Sequence, residues 1–114
     1  MKISQIINEI SARAATGLPA EDIELDKAFS SDLMSDVLTL EEDNVLLITG
    51  LANVQLIRTA EMADIDVVVL ARGKKASPEM VELASENGLV ILETPFSIYR
   101  TSGILFTNGL KPVF

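Results

Sequence analysis

The sequence predicts a single α/β domain built on a mainly parallel sheet. Three observations carry this. Apolar runs at residues 45–49, 67–71 and 89–92 have strand length and are rich in Val, Ile and Leu. Helix-length segments separate them, and strands alternating with helices imply parallel pairing through right-handed crossovers. The runs are nearly continuous in apolar residues rather than alternating, as expected of strands covered on both faces.

The other elements follow in order. Ile3, Ile6, Ile7 and Ile10 fall at i, i+3, i+4 and i+7, which predicts a helix over residues 4–12. Gly17-Leu18-Pro19 marks a turn. Residues 23–30 begin with apolar–polar alternation and read as extended. Residues 31–38 supply capping Ser and Asp side chains, with a short helix near 33–39. An acidic turn, Glu41 to Asn44, leads into the strand at 45–49. Asn53 is placed to cap a helix over 53–63, with Leu56, Ile57, Ala60 and Ala63 on its inner face. Ser77 caps the next helix, Pro78 suits its first position, and Asn87-Gly88 stops it. Met80, Val81, Leu83 and Ala84 form its buried stripe. A last helix runs from Ser97 to Thr107 and ends at Asn108-Gly109.

With 114 residues, 48% of them hydrophobic, the chain is expected to be one domain, 1–114, with a real core. It has no Cys and no His. That removes disulfides, thiolate zinc sites, Cys nucleophiles and His-based triads, and no enzyme activity is expected. A metal would need carboxylates and hydroxyls, and Asp32, Ser35 and Asp36 are a thin set whose more frequent use at a helix start is as caps, so no metal or cofactor is expected. A net charge of −8 argues against nucleic acid and anionic lipid as partners. No apolar run is long enough to span a bilayer, and residues 1–5 lack a signal-peptide stretch, so a cytoplasmic location is expected.

Ligands of parallel sheets gather at the carboxyl ends of the strands. There, Thr49-Gly50 stands before the helix that opens at Asn53; its residues either present donors to an anion or simply turn the chain. Arg72, Lys74 and Lys75 are three of only nine positive residues, clustered around Gly73 after the second strand. They hold an anion or merely solvate a loop. Thr94, after the third strand, is expected to face the same edge as Thr49. The candidate ligand residues are Thr49, Gly50, Asn53, Arg72, Gly73, Lys74 and Thr94. No Walker lysine pattern and no G-x-G-x-x-G is present.

In order and spacing the chain resembles the DRTGG domain, which is similar to the N-terminal domain of HPr kinase/phosphorylase. The resemblance rests on residues 31–37 (SDLMSDV), 47–50 (LITG), 69–73 (VLARG), 77–84 (SPEMVELA) and 90–95 (VILETP). The name-giving residues are largely replaced. The family's Asp-Arg pair falls near Ala52-Asn53, and of its Thr-Gly-Gly turn only Gly73 matches, within Ala71-Arg72-Gly73. The resemblance implies a regulatory domain, of a family found beside nucleotide-sensing CBS domains, that either senses a small anionic ligand such as a nucleotide or acts in assembly. Self-association is implied as well. A homodimer is also expected from the chain's short length and mean hydropathy of +0.34, with Tyr99, Ser102, Gly103 and Phe106 of the last helix as contact. The alternative function is a homodimeric protein-interaction module without a small-molecule ligand.

Overall fold

The computed structural model describes residues 1–114. Six strands form one sheet: β1 (Arg13–Ala14), β2 (Lys27–Ser30), β3 (Val45–Thr49), β4 (Val67–Leu70), β5 (Val90–Glu93) and β6 (Lys111–Pro112). Their order across the sheet is β1-β5-β4-β3-β2-β6. All neighbours pair in parallel except β1, which runs antiparallel to β5. The predicted mainly parallel α/β architecture is therefore the observed one.

The helices are α1 (Ile3–Glu9), α2 (Met34–Val37), α3 (Val54–Met62), α4 (Pro78–Glu86) and α5 (Ile98–Thr107). From β2 to β5 the chain advances one strand at a time in one direction. Crossovers of one hand then put α2, α3 and α4 on the same face. After β5 the chain reverses to reach β6 at the far edge, and the same rule sends α5 to the opposite face. The core divides accordingly. Val45, Leu47, Val68, Leu70 and Ile91 face Leu56, Ile57, Ala60, Met80 and Ala84. Leu46, Ile48, Val67, Val69, Val90 and Leu92 face Ile3, Ile6, Ile10 and Leu105. With both faces covered, β3, β4 and β5 are buried at every residue.

Several boundaries differ from the sequence expectation, among them a short helix reduced to Met34–Val37 and a second inner strand that ends at Leu70. The first helix ends at Glu9 rather than residue 12, because Ile10 closes it and Ser11 turns left-handed at φ 51°. Only Lys27–Ser30 of the extended segment 23–30 is strand; Glu24 instead makes an isolated bridge to Lys2. The third expected strand is shifted by one, so that Glu93 belongs to β5. Asn53, Ser77 and Ser97 cap α3, α4 and α5 by accepting the backbone N–H of Leu56, Met80 and Arg100. The two-residue edge strands β1 and β6 were not foreseen. Pro112 suits β6, since an edge strand can lack a donor on its outer side.

Candidate functional site

The loops that follow all four inner parallel strands meet at one cleft of about 470 Å³, lined by Asp32, Gly50, Arg72, Lys74, Ser97, Ile98 and Tyr99. Asp32 follows β2, Gly50 follows β3, and Arg72 and Lys74 follow β4. The segment after β5 crosses the sheet edge and brings the start of α5 to the same place. The volume lies within the range of small-molecule sites, about 300–1,000 Å³.

Each wall is held by identifiable bonds. The Asp32 carboxylate accepts the Thr49 hydroxyl at 2.8 Å and the Gly50 N–H at 2.7 Å, both on Oδ1. The Thr49 hydroxyl in turn accepts the Leu51 N–H. Arg72 and Gly73 both adopt left-handed backbone, with φ 59° and 72°. Gly73 takes this without cost, whereas Arg72 is a non-glycine residue in a sparsely populated region. The turn aims the N–H of Arg72 at Phe96 O and that of Gly73 at Thr94 O, at 2.6 and 2.9 Å. Loop 72–73 is thereby tied to loop 94–96. The Arg100 guanidinium lies 3.7 Å over the Phe96 ring, which steadies the approach to α5.

Glu93 anchors the rest of the basic loop. Its carboxylate is 4% exposed, accepts the Ala76 N–H at 2.7 Å, and pairs with Arg13 at 3.4 Å and Lys75 at 3.8 Å. Lys75 is thus drawn to Glu93 rather than to the cleft. Arg72 and Lys74 have no acidic partner within 4 Å, and both are exposed. The cap of α5 adds to them. The Ser97 hydroxyl takes the Arg100 N–H, which leaves the first-turn amides of Ile98 and Tyr99 outside the helical ladder, at the positive end of its dipole.

The structure sorts the seven candidate residues by what their polar groups already do. Gly50, Arg72 and Lys74 line the cleft. Thr49 is fully buried with its hydroxyl bonded to Asp32. Thr94 is also buried; its hydroxyl donates to Ile10 O and accepts the Phe96 N–H. Asn53 caps α3, and Gly73 shapes the turn. These four do not line the cleft. Asp32, Ser97, Ile98 and Tyr99 join the site from outside the candidate set. Asp32 had a sequence signal, a carboxylate just past a strand, but its partners lie 17 and 18 residues away. No group of three or more His, Cys, Asp or Glu is assembled to hold a metal ion. No helix is long and apolar enough to cross a membrane.

A second concavity, about 330 Å³, lies between α5 and the β2–β6 edge. Ala28, Ile48 and Leu110 form its floor, and Tyr99, Gly103 and Phe106 its helical wall. Tyr99 is 90% and Phe106 66% exposed. Ser30 and Ser102 join their hydroxyls at 2.7 Å across it.

No family model matches the sequence, and no curated protein matches it. Among solved structures, the chain is similar to one of the CBS and DRTGG domains of the regulatory region of Clostridium perfringens pyrophosphatase, complexed with its activator diadenosine tetraphosphate. The match has a TM-score of 0.78 at 16% identity and covers 90% of this chain and 45% of that one. This chain thus corresponds to less than half of that regulatory region. The chain thus shares its fold with that regulatory region, which supports the DRTGG-like reading of its sequence.

Proposed function

We propose that this chain is a non-catalytic regulatory domain that senses a small anionic ligand of the nucleotide class in the cleft at the carboxyl edge of the sheet. One observation carries the reading. In a protein of net charge −8, two exposed cations without acidic partners, Arg72 and Lys74, meet the amino end of α5 in a cleft walled by four loops. Guanidinium, ammonium and free amide donors together suit a phosphate. The shared fold with a regulatory region that binds a dinucleotide activator supports the same class of role. No catalytic pair is assigned, because Asp32 holds Thr49 and Gly50 and no His or Cys stands beside it.

The test is a thermal-shift screen of nucleotides and phosphometabolites followed by calorimetry, since a ligand that binds the native state raises its melting point. Arg72→Ala should weaken a direct phosphate contact by roughly 1.5–3 kcal/mol, about ten- to a hundredfold. No binding by any of them at millimolar concentration, or equal binding by wild type and Arg72→Ala, would reject the reading.

The groove beside α5 favours a second role, as the contact of a homodimer. Tyr99 and Phe106 are large exposed apolar side chains on one helix, and the open side of Gly103 leaves room between them. Phe106→Glu, remote from the cleft lining, should shift the light-scattering mass to that of a monomer. A wild-type monomer at tens of micromolar would rule this role out.

A further inference from the structure

We infer that the ligand of the cleft is a ribonucleotide, its ribose hydroxyls on Asp32 and its phosphate on Arg72, Lys74 and the first amides of α5. This deepens the preceding reading and rests on it. The cleft is not simply basic. Asp32 places a negative group inside it, 2.7 Å from the Gly50 amide. That carboxylate already satisfies the two donors at the end of β3, the Thr49 hydroxyl and the Gly50 N–H, that would otherwise attract a phosphate. A bare phosphate is therefore repelled from the β3 side and left with the β4–α5 side.

Only one oxygen of Asp32 is engaged. Oδ1 takes both the Thr49 hydroxyl and the Gly50 N–H, while Oδ2 accepts no hydrogen bond from the protein. Glycine at position 50 keeps the approach open. A Cβ there would sit 3.6 Å from Asp32 Oδ2 and 3.6 Å from Ile98 Cδ1, filling the space between them. Asp32 also forms no ion pair with Arg72 or Lys74, although all three line one cleft. The two signs of charge are held apart, more than 4 Å from each other.

A ligand that satisfies both ends must offer hydrogen-bond donors at one end and an anion at the other. Vicinal hydroxyls donate to a carboxylate, and a phosphate accepts from the guanidinium, the ammonium and the amides. A nucleotide presents these groups one sugar apart. Its base then has a platform in Tyr99, whose ring is 90% exposed at the rim. Stacking on such a ring is tolerant of base identity, so the chemistry selects the ribose more sharply than the base. A phosphosugar shares the two polar ends but leaves the ring unused. An amino-acid zwitterion carries an ammonium for Asp32 and a carboxylate for the cations, but both hang from one carbon and leave the ring of Tyr99 unused.

The experiment titrates the nitrogen-labelled chain by NMR with ADP, its dideoxy analogue lacking both ribose hydroxyls, ribose phosphate and inorganic phosphate. ADP should move the amides of Gly50, Arg72 and Tyr99, and the dideoxy analogue should bind about tenfold more weakly or worse, as expected for losing hydrogen bonds to a charged acceptor. Asp32→Asn keeps an oxygen for Thr49 and Gly50 but removes the charge. It should erase most of the ADP-to-dideoxy difference while strengthening inorganic phosphate, a gain that structural damage would not produce. Tyr99→Ala should weaken ADP and leave ribose phosphate unchanged. If phosphate ligands bind at these amides but the dideoxy analogue matches ADP, the ribonucleotide inference fails and the anion site stands. If none of the four perturbs these amides, the anion-sensing reading fails and the inference falls with it.

Discussion

Replacing Glu93 by alanine should destabilise the domain by about 2–3 kcal/mol, and the structure says where that comes from. The carboxylate is 4% exposed and receives the Ala76 N–H at 2.7 Å. A hydrogen bond to a charged group contributes about 1.5–3 kcal/mol, and removing the acceptor leaves a part-buried amide unpaired. The ion pairs add less. Arg13 and Lys75 are 74% and 65% exposed at 3.4 and 3.8 Å, so solvent screening limits each to about 0–1 kcal/mol. For 114 residues, unfolding entropy of about 2.1 cal/mol/K per residue gives roughly 4 °C of melting temperature per kcal/mol. Glu93→Ala should then melt about 8–12 °C below wild type by circular dichroism. Glu93→Gln retains an acceptor for Ala76 and loses only the charge, so its loss should be under half as large. The ranking matters for function, because Glu93 holds the loop that carries Arg72 and Lys74. If Glu93→Ala melts within 2 °C or so of wild type, or if Gln costs as much as Ala, the hydrogen bond to Ala76 is not what holds this loop.

The remaining expectations concern other parts of the molecule. Thr101 is fully buried and its hydroxyl has no partner; Thr101→Val, close in shape, should leave stability unchanged or raise it by up to about 1 kcal/mol in urea unfolding, and a loss beyond that would reveal a bonded hydroxyl. Asn53→Ala should lose about 1 kcal/mol by removing the cap on Leu56 N–H, with the sheet unaltered by NMR. Leu47→Ala, in the fully buried centre of β3, should cost about 2–5 kcal/mol, whereas Leu38→Ala on the surface should cost little. Asp22 is held below its ordinary value of 3.8 chiefly by the hydrogen bond from the Ser4 hydroxyl, and it also accepts the Ser4 N–H near the start of α1. A lowered value in the folded state means that this contribution is present above 3.8 and fades as pH falls below it; hydrogen exchange in α1 should therefore quicken on acidification in wild type and depend less on pH in Asp22→Asn.

Much of the fold was legible in the residues because it depends on local rules. Unbroken Val, Ile and Leu runs announce strands buried on both faces, and Asn53, Ser77 and Ser97 announce helix starts, since capping needs only a side chain within three residues of the donor. The sequence by itself therefore determined the α/β class and the three inner apolar strands, and it named the carboxyl edge of the sheet as the place to seek a site. It also pointed to Gly50, Arg72 and Lys74, which line the cleft, because each lies in a loop that follows a strand. The rest depended on distance through space. β1 and β6 are two residues long and exist only because longer strands offer them a partner. Asp32 reaches Thr49 and Gly50 across a whole crossover, and no periodicity reports a bond between residues 17 or 18 apart. Thr49 and Thr94 look like free hydroxyls in sequence, but the packed structure gives them Asp32 and Ile10 O as partners. Tyr99 enters the cleft because the chain reverses after β5 and lays α5 on the opposite face, and such a reversal is decided by which sheet face still needs covering.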